Sequence, residues 1–154
     1  MKVAVLTISD RSARGERADE GGPLVEQLVV AAGADVVKRA ITPDERDEIE
    51  ATLREWADDG AIDLIITTGG TGLGARDVTP EATRAVIDRE APGIAETMRA
   101  TGIRQTPMAA LSRQVAGARG TTLIVNLPGT PKAIRESLDA IIGILPHAVE
   151  MLHS

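Results

Sequence analysis

The segment Thr67–Pro80, TTGGTGLGARDVTP, sets four glycines, an arginine and an aspartate immediately after a β-branched run. A glycine-rich turn at a strand end lets backbone amides come close to a phosphate. This loop is not a Walker A loop, because no Gly-Lys-Ser/Thr occurs. Nor is it the dinucleotide fingerprint, since Gly70-Thr71-Gly72-Leu73-Gly74 has the wrong third interval. On glycine content alone, a turn with no ligand accounts for it as well as an anion site does. The adjacent Arg76-Asp77 pair tips that balance: a charged pair inside a glycine loop has no packing purpose, whereas binding an anion and a metal uses both signs.

Two aspartates could do the work of metal ligands. Asp44 follows a strand and falls in the first turn of a helix, where by itself it would only stabilise the helix dipole, by ~0.3–1 kcal/mol. Asp77 by itself would make local backbone hydrogen bonds. Together they could hold Mg²⁺, which binds through one or two carboxylates plus substrate phosphates. Ser9-Asp10-Arg11 and Asn126–Pro131 (NLPGTP) close two further strands. If these ends meet the glycine loop over one crevice, Ser9, Asp10 and the second loop become ligand contacts, since open α/β sheets bind ligands there. The Asn126–Pro131 loop could instead merely reverse the chain. Ser112-Arg113 offers a hydroxyl and a guanidinium, although a solvated surface arginine is the commoner case. His147 and His153 both fall in the last eight residues and read as a surface helix end, so covalent nucleophilic catalysis has little support.

These loops need elements to hold them. Lys2–Ser9 reads as a buried strand, with Asp10–Glu20 as a loop and Gly21–Ala32 as a helix ended by Gly33. Asp35–Ile41 is a second strand. Thr42-Pro43-Asp44 opens a helix that carries Ile49, Leu53 and Trp56 on one stripe and ends at Asp58-Asp59-Gly60. Ile62–Thr67 is the third strand. Pro80 begins a helix, and Pro92-Gly93 separates it from another at Ile94–Ala100. Two runs between Gln114 and Asn126 flank Arg119-Gly120 as a hairpin or as two strands joined by a turn. A last helix from Pro131 buries Ile134, Leu138, Ile141, Ile142 and Leu145, with Pro146 interrupting it. Strands alternating with amphipathic helices predict a single α/β domain over residues 1–154, with a mostly parallel central sheet between helical layers.

Composition narrows the partners. In 154 residues there is one Trp, no Tyr and no Phe, so a ligand ring must be held by backbone, glycine faces and aliphatic side chains. That argues against nucleic-acid stacking platforms, as does a net charge of −6. With no cysteine there is no disulfide, thiolate metal site or thiol nucleophile. No run approaches the ~20 apolar residues of a membrane span, and MKVAVLTISD reads as a strand rather than a leader. A cytoplasmic protein with no membrane partner is expected.

Taken in order, TTGGTGxxxRDxTPEA (Thr67–Ala82), PGxxExMR (Pro92–Arg99), LSRQ (Leu111–Gln114) and NLPGxPK (Asn126–Lys132) resemble the molybdopterin adenylyltransferases (MogA/MoaB type) of molybdenum cofactor biosynthesis. ISDR (Ile8–Arg11) and PDE (Pro43–Glu45) fit as well, so the resemblance covers nearly the whole chain. It implies a Rossmann-like, three-layer fold, a homotrimer, and transfer of AMP from Mg·ATP to the terminal phosphate of molybdopterin, with a downstream molybdenum-insertion enzyme as a possible partner. It implies that Asp77 and Asp44 are the catalytic, metal-binding aspartates, and that Gly69, Gly70, Thr71, Gly72 and Ser112 bind substrate. Asn126, Pro128 and Gly129 match a further ligand-binding loop. The alternative within the same resemblance is a paralogue that holds molybdopterin or its precursor without adenylylating it. Retention of both aspartates favours the enzyme.

Overall fold

A computed structural model describes residues 1–154 as one six-stranded sheet between two helical layers. The strands are β1 (Lys2–Ile8), β2 (Asp35–Thr42), β3 (Leu64–Thr68), β4 (Arg89–Glu90), β5 (Ala116–Arg119) and β6 (Thr122–Leu127). Their spatial order is β2-β1-β3-β6-β5-β4. The four strands β2, β1, β3 and β6 run parallel, whereas β5 and β4 add an antiparallel edge. The expected α/β fold with a mostly parallel sheet is therefore observed, and no helix is long and apolar enough to cross a membrane.

The helices are α1 (Asp10–Ala13), α2 (Gly21–Ala31), α3 (Arg46–Asp58), α4 (Thr79–Val86), α5 (Pro92–Gln105), α6 (Pro131–Ile141) and α7 (Leu145–Leu152). Parallel central strands are buried on both faces, and β1 and β3 accordingly read as continuous apolar runs. Val3, Val5, Leu64, Ile66 and Val125 face one way, against Val25 and Val29 of α2, Met98 of α5, Ile134 and Leu138 of α6, and Leu145 of α7. Ala4, Leu6, Ile65 and Ile124 face the other way, against Ile49, Leu53 and Trp56 of α3 and Ala82 and Val86 of α4. The core is almost wholly aliphatic. Each such side chain contributes about 1.5–3 kcal/mol when fully buried.

Several local expectations change. Asp10–Glu20 is not all loop: Ser9 accepts a hydrogen bond from the Ser12 amide (3.2 Å) and caps the single turn α1. Thr42 does not cap α3, because its pairing with Ile8 keeps it extended at the end of β2, and the helix begins four residues later. Asp44 thus precedes the helix rather than lying in its first turn. The last helix is two, since a turn at residues 142–144 interrupts it, and Pro146 sits in the first turn of α7, where a missing amide costs nothing. The break puts Leu145 at the start of α7 instead of on α6. The hairpin at Arg119-Gly120 forms as expected, with Arg119 opposite Thr122 and Gly120 at φ 57°. The two-residue β4 and a 3-10 turn at Pro107–Leu111 carry no periodicity long enough to foresee.

Candidate active site

β1 is followed by a crossover to β2 on one side, and β3 returns to its other side, so the strand order reverses between β1 and β3. The crevice beyond their carboxyl ends is where open α/β sheets take ligands. The predicted loops converge there. The Ser9 amide donates to the Thr42 carbonyl (2.9 Å), the Gly69 amide to the Leu127 carbonyl (3.1 Å), and the Thr68 hydroxyl to the Pro128 carbonyl (2.8 Å). A crevice of about 260 Å³ opens between them, lined among others by Ser9, Ser12, Arg17, Gly21, Gly69 and Gly129.

Glycine is required at the centre of this convergence. Gly69 has φ 102°, and a Cβ there would lie 2.3 Å from the Ile8 carbonyl oxygen. Gly70 has φ 69°, and its Cβ would lie 2.3 Å from the Thr79 hydroxyl. That hydroxyl donates to the Gly69 carbonyl (2.9 Å), and the Thr79 amide to the Gly70 carbonyl (3.2 Å), which ties the loop to the start of α4. The amides of Gly70, Thr71, Gly72, Gly129 and Thr130 are left without a protein acceptor. Free amides beside a helix N-terminus, here that of α6, suit an anion.

The aspartates gather on the other side of the glycine loop. The Asp10 amide donates to Asp44 Oδ2 (2.8 Å), and the Asp44 amide donates back to Asp10 Oδ1 (2.9 Å). Asp77 Oδ2 accepts from the Gly74 amide (2.9 Å). Burial pushes the Asp44 carboxyl above the usual carboxylate range, against the bond from Asp10, and the charges of Asp10 and Asp77 push it further. Arg76 donates to both oxygens of Asp10 (3.1 and 3.0 Å) and to Glu45 (2.8 Å). That arginine hydrogen bond, more than any other influence, holds the Asp10 carboxyl below its ordinary range. Arg76 therefore does have a structural purpose, contrary to the sequence expectation: it fastens the glycine loop across the cleft to the ends of β1 and β2.

The donor set fits a divalent cation only with help from substrate. No group of three or more carboxylate or imidazole side chains surrounds one point. Asp44 Oδ1 and Asp77 Oδ1, however, receive no protein hydrogen bond, since only the Oδ2 atoms are engaged. Two carboxylates with one open oxygen each fit Mg²⁺ that takes its remaining ligands from phosphate and water.

The other predicted residues divide. Ser112 and Pro128 line a second cavity of about 230 Å³, with Arg99, Gln114 and Glu136. The Ser112 hydroxyl donates to Gln114 Oε1, while Arg99 donates to the Ser112 carbonyl (3.0 Å). Asn126 is fully buried and its side chain is engaged within the fold. It donates to the Thr67 and Thr83 hydroxyls (3.0 and 2.9 Å) and accepts from the Val115 amide (3.1 Å). Its side chain contributes position rather than a free polar group. His147 lies on α7 and His153 caps its C-terminal end, away from the crevice, with His153 3.2 Å from Asp63.

Arg113 is the residue whose role the sequence understated. It is only about a third exposed, and its guanidinium is bonded to the glycine loop at Gly72 and Asp77 and to Glu81. Asp19 was not foreseen either: it accepts from the Thr7 hydroxyl (2.8 Å) and the Gly22 amide (3.0 Å), fixing α2 at the crevice wall. The Arg113 contacts reach across the fold and leave no local sequence signal, whereas Asp19 three residues before Gly22 is a local helix-start pattern.

Residues 4–147 match the family described as "Probable molybdopterin binding domain". The chain is 41% identical over 152 residues to the molybdopterin adenylyltransferase of Helicobacter pylori J99, covering 97% of this chain and 86% of that one. It is 45% identical over 149 residues to the molybdenum cofactor synthesis protein cinnamon of Drosophila melanogaster, covering 96% of this chain; it spans only 25% of that longer relative. Among solved structures, it is similar to the molybdopterin biosynthesis enzyme MoaB of Thermus thermophilus. That likeness has a TM-score of 0.93 and 52% identity, and covers 98% of this chain and 95% of that one.

Proposed function

The chain belongs to the family of molybdopterin-binding domains, and on that premise we propose that it is a molybdopterin adenylyltransferase of molybdenum cofactor biosynthesis. The reaction is attack by the terminal phosphate of molybdopterin on the α-phosphorus of ATP. A phosphorus–oxygen bond forms to the pterin phosphate, the bond to the β-phosphate breaks, and pyrophosphate leaves with the electron pair. The observation that carries this reading is the pairing of unclaimed loop amides with two aspartates that each keep an open oxygen.

The nucleophile is a phosphate monoester with a second pKa of ~6, already largely dianionic at neutral pH. No general base is required, in keeping with histidines confined to α7 and its C-terminal cap. What the protein must supply is alignment and neutralisation of charge. Asp44 and Asp77 are the residues that would hold Mg²⁺, which when bound screens the triphosphate and polarises the α-phosphate. The Gly70, Thr71 and Gly72 amides and those of Gly129 and Thr130 cradle phosphate oxygens, and Ser9, Asp10 and Ser112 line or brace the substrate cavities. The scarcity of aromatic rings leaves pterin recognition to backbone groups. A homotrimer, a cytoplasmic setting and a molybdenum-insertion enzyme as recipient complete the proposal. Exposed Ile103, Met108 and Leu111 are apolar surface that an assembly would cover.

The test is direct: incubate the protein with molybdopterin, Mg²⁺ and α-labelled ATP and look for labelled pterin. Labelled adenylyl-molybdopterin with stoichiometric pyrophosphate is expected. Release of AMP and pyrophosphate without pterin would replace this reading with a nucleotide pyrophosphatase.

A further inference from the structure

The loop that bears Asp77 cannot hold its own shape. Between Thr71 and Val78 its internal bonds are few: the Gly74 amide reaches Asp77 Oδ2, and the Asp77 amide reaches the Gly74 carbonyl (3.0 Å). Leu73, Gly74, Ala75 and Arg76 are exposed, so the turn buries little that would fix it. Its order must come from outside.

Arg76 ties the tip of the turn to Asp10 and Glu45, and a second arginine closes the turn itself. Arg113 lies between the 3-10 turn and β5, far from the loop in sequence. Its amide donates to the Thr71 carbonyl (2.8 Å), Nε to the Gly72 carbonyl (2.8 Å), and Nη2 to the Asp77 carbonyl (2.8 Å). The guanidinium thus spans both ends of the turn and joins them. Its orientation is set in turn by Glu81 of α4, whose Oε2 accepts from Nη1 at 2.6 Å and whose Oε1 accepts from Nη2 at 3.4 Å. A planar fork can bridge three acceptors at fixed angles, which a lysine ammonium cannot reproduce.

We propose that Arg113 is a positioning residue for adenylyl transfer, holding the Gly72–Asp77 turn so that the Asp77 carboxylate stands in working register with Asp44, and that Glu81 orients the Arg113 guanidinium for this task. The inference rests on the adenylyltransferase reading, which it extends to a residue outside the aspartate cluster. Misplacing a reacting group by an ångström can cost about 100-fold in rate, so a loosened turn lowers turnover rather than affinity.

The experiment compares Arg113→Lys and Glu81→Gln with wild type by two readouts. The first is amide hydrogen exchange of the ligand-free protein. In Arg113→Lys, exchange of the Gly74 and Asp77 amides, the two in the 70–78 segment that carry a hydrogen bond, should accelerate about tenfold while β1, β3 and β6 keep their protection. The second is steady-state adenylylation, in which kcat should fall about 10- to 100-fold with the KM for pterin within about twofold. Glu81→Gln keeps the three carbonyl bonds and should move both readouts the same way, by less; it also serves if Arg113→Lys fails to fold. Unchanged exchange in the 70–78 segment, faster exchange with unaltered kcat, or loss of protection throughout the sheet would each overturn the proposal. Should wild type form no adenylyl-pterin, the adenylyltransferase reading fails, and the exchange readout still decides whether Arg113 holds the turn.

Discussion

Asp10 and Asp44 hold each other by a reciprocal pair of backbone-to-carboxylate hydrogen bonds, 2.8 Å in one direction and 2.9 Å in the other. Each aspartate caps the other's loop, so the end of β1 and the end of β2 are fixed relative to one another at the crevice. The arrangement uses Asp44 Oδ2 and leaves Oδ1 open. Asp10, through Arg76, also carries the link to the glycine loop. Asp10 is thus the brace of the acidic cluster.

Asp10→Ala is accordingly expected to lower adenylylation about tenfold and to raise the Mg²⁺ concentration needed for half-maximal rate. Asp10→Asn, which can still accept from the Asp44 amide but cannot pair with Arg76, should recover part of the loss. Titrating Mg²⁺ in both variants checks this. Equal defects would place the whole effect on the Arg76 link.

Gly69→Ala should be far more damaging than Gly15→Ala, although both glycines have positive φ. At Gly15 nothing lies within 4 Å of an added Cβ, so the substitution carries only the backbone strain, about 1–2 kcal/mol. At Gly69 the same strain is joined by a collision with the Ile8 backbone. The expected outcome is near-wild-type turnover in the first variant and loss of about 100-fold or more in the second, measured in the same assay.

Asn126→Ala tests the internal brace. It leaves the Val115 amide without its acceptor and takes a donor from two buried threonine hydroxyls. A stability loss of about 2–3 kcal/mol is expected, or roughly 5–10 °C in Tm by calorimetry. A Tm within a degree of wild type would show that the buried network is dispensable.

The acid side of the stability curve should report the Glu81–Arg113 pair. The Arg113 hydrogen bond holds the Glu81 carboxyl below its ordinary value in the folded protein. A group with a lowered folded pKa adds stability above its unfolded pKa, about 4.3, and that stability disappears as pH falls through the lower folded value. Glu81→Gln should therefore narrow the gap to wild type as pH is reduced from 6 toward 3 in chemical denaturation. A gap that stays constant across that range would exclude the linkage.

How much of this was legible before the structure follows from the range of each signal. Lys2–Ser9, Thr122–Leu127 and the aliphatic stripe of α6 announce themselves because period and burial are local properties of the chain. The same holds for Gly69 and Gly70, whose residue types forecast a backbone shape. Thr42 misled because a cap and a strand end share the same extended dihedrals, and only pairing with Ile8 decides between them. Asn126 and Arg113 were legible as residues of interest but not as the interior brace and the loop clamp they are. Their partners, Thr83 and Gly72, are brought to them only by the assembled sheet.

The central claim is that Asp44 and Asp77 act on the transfer step while the pterin is held by other groups. Its most direct measurement is single-turnover adenylylation alongside pterin binding for wild type, Asp44→Ala and Asp77→Ala. Wild type is expected to form adenylyl-molybdopterin, product formation to collapse in both variants, and all three to bind molybdopterin with similar affinity. Equal binding with no product from any of the three, or undiminished product from Asp77→Ala, would contradict it.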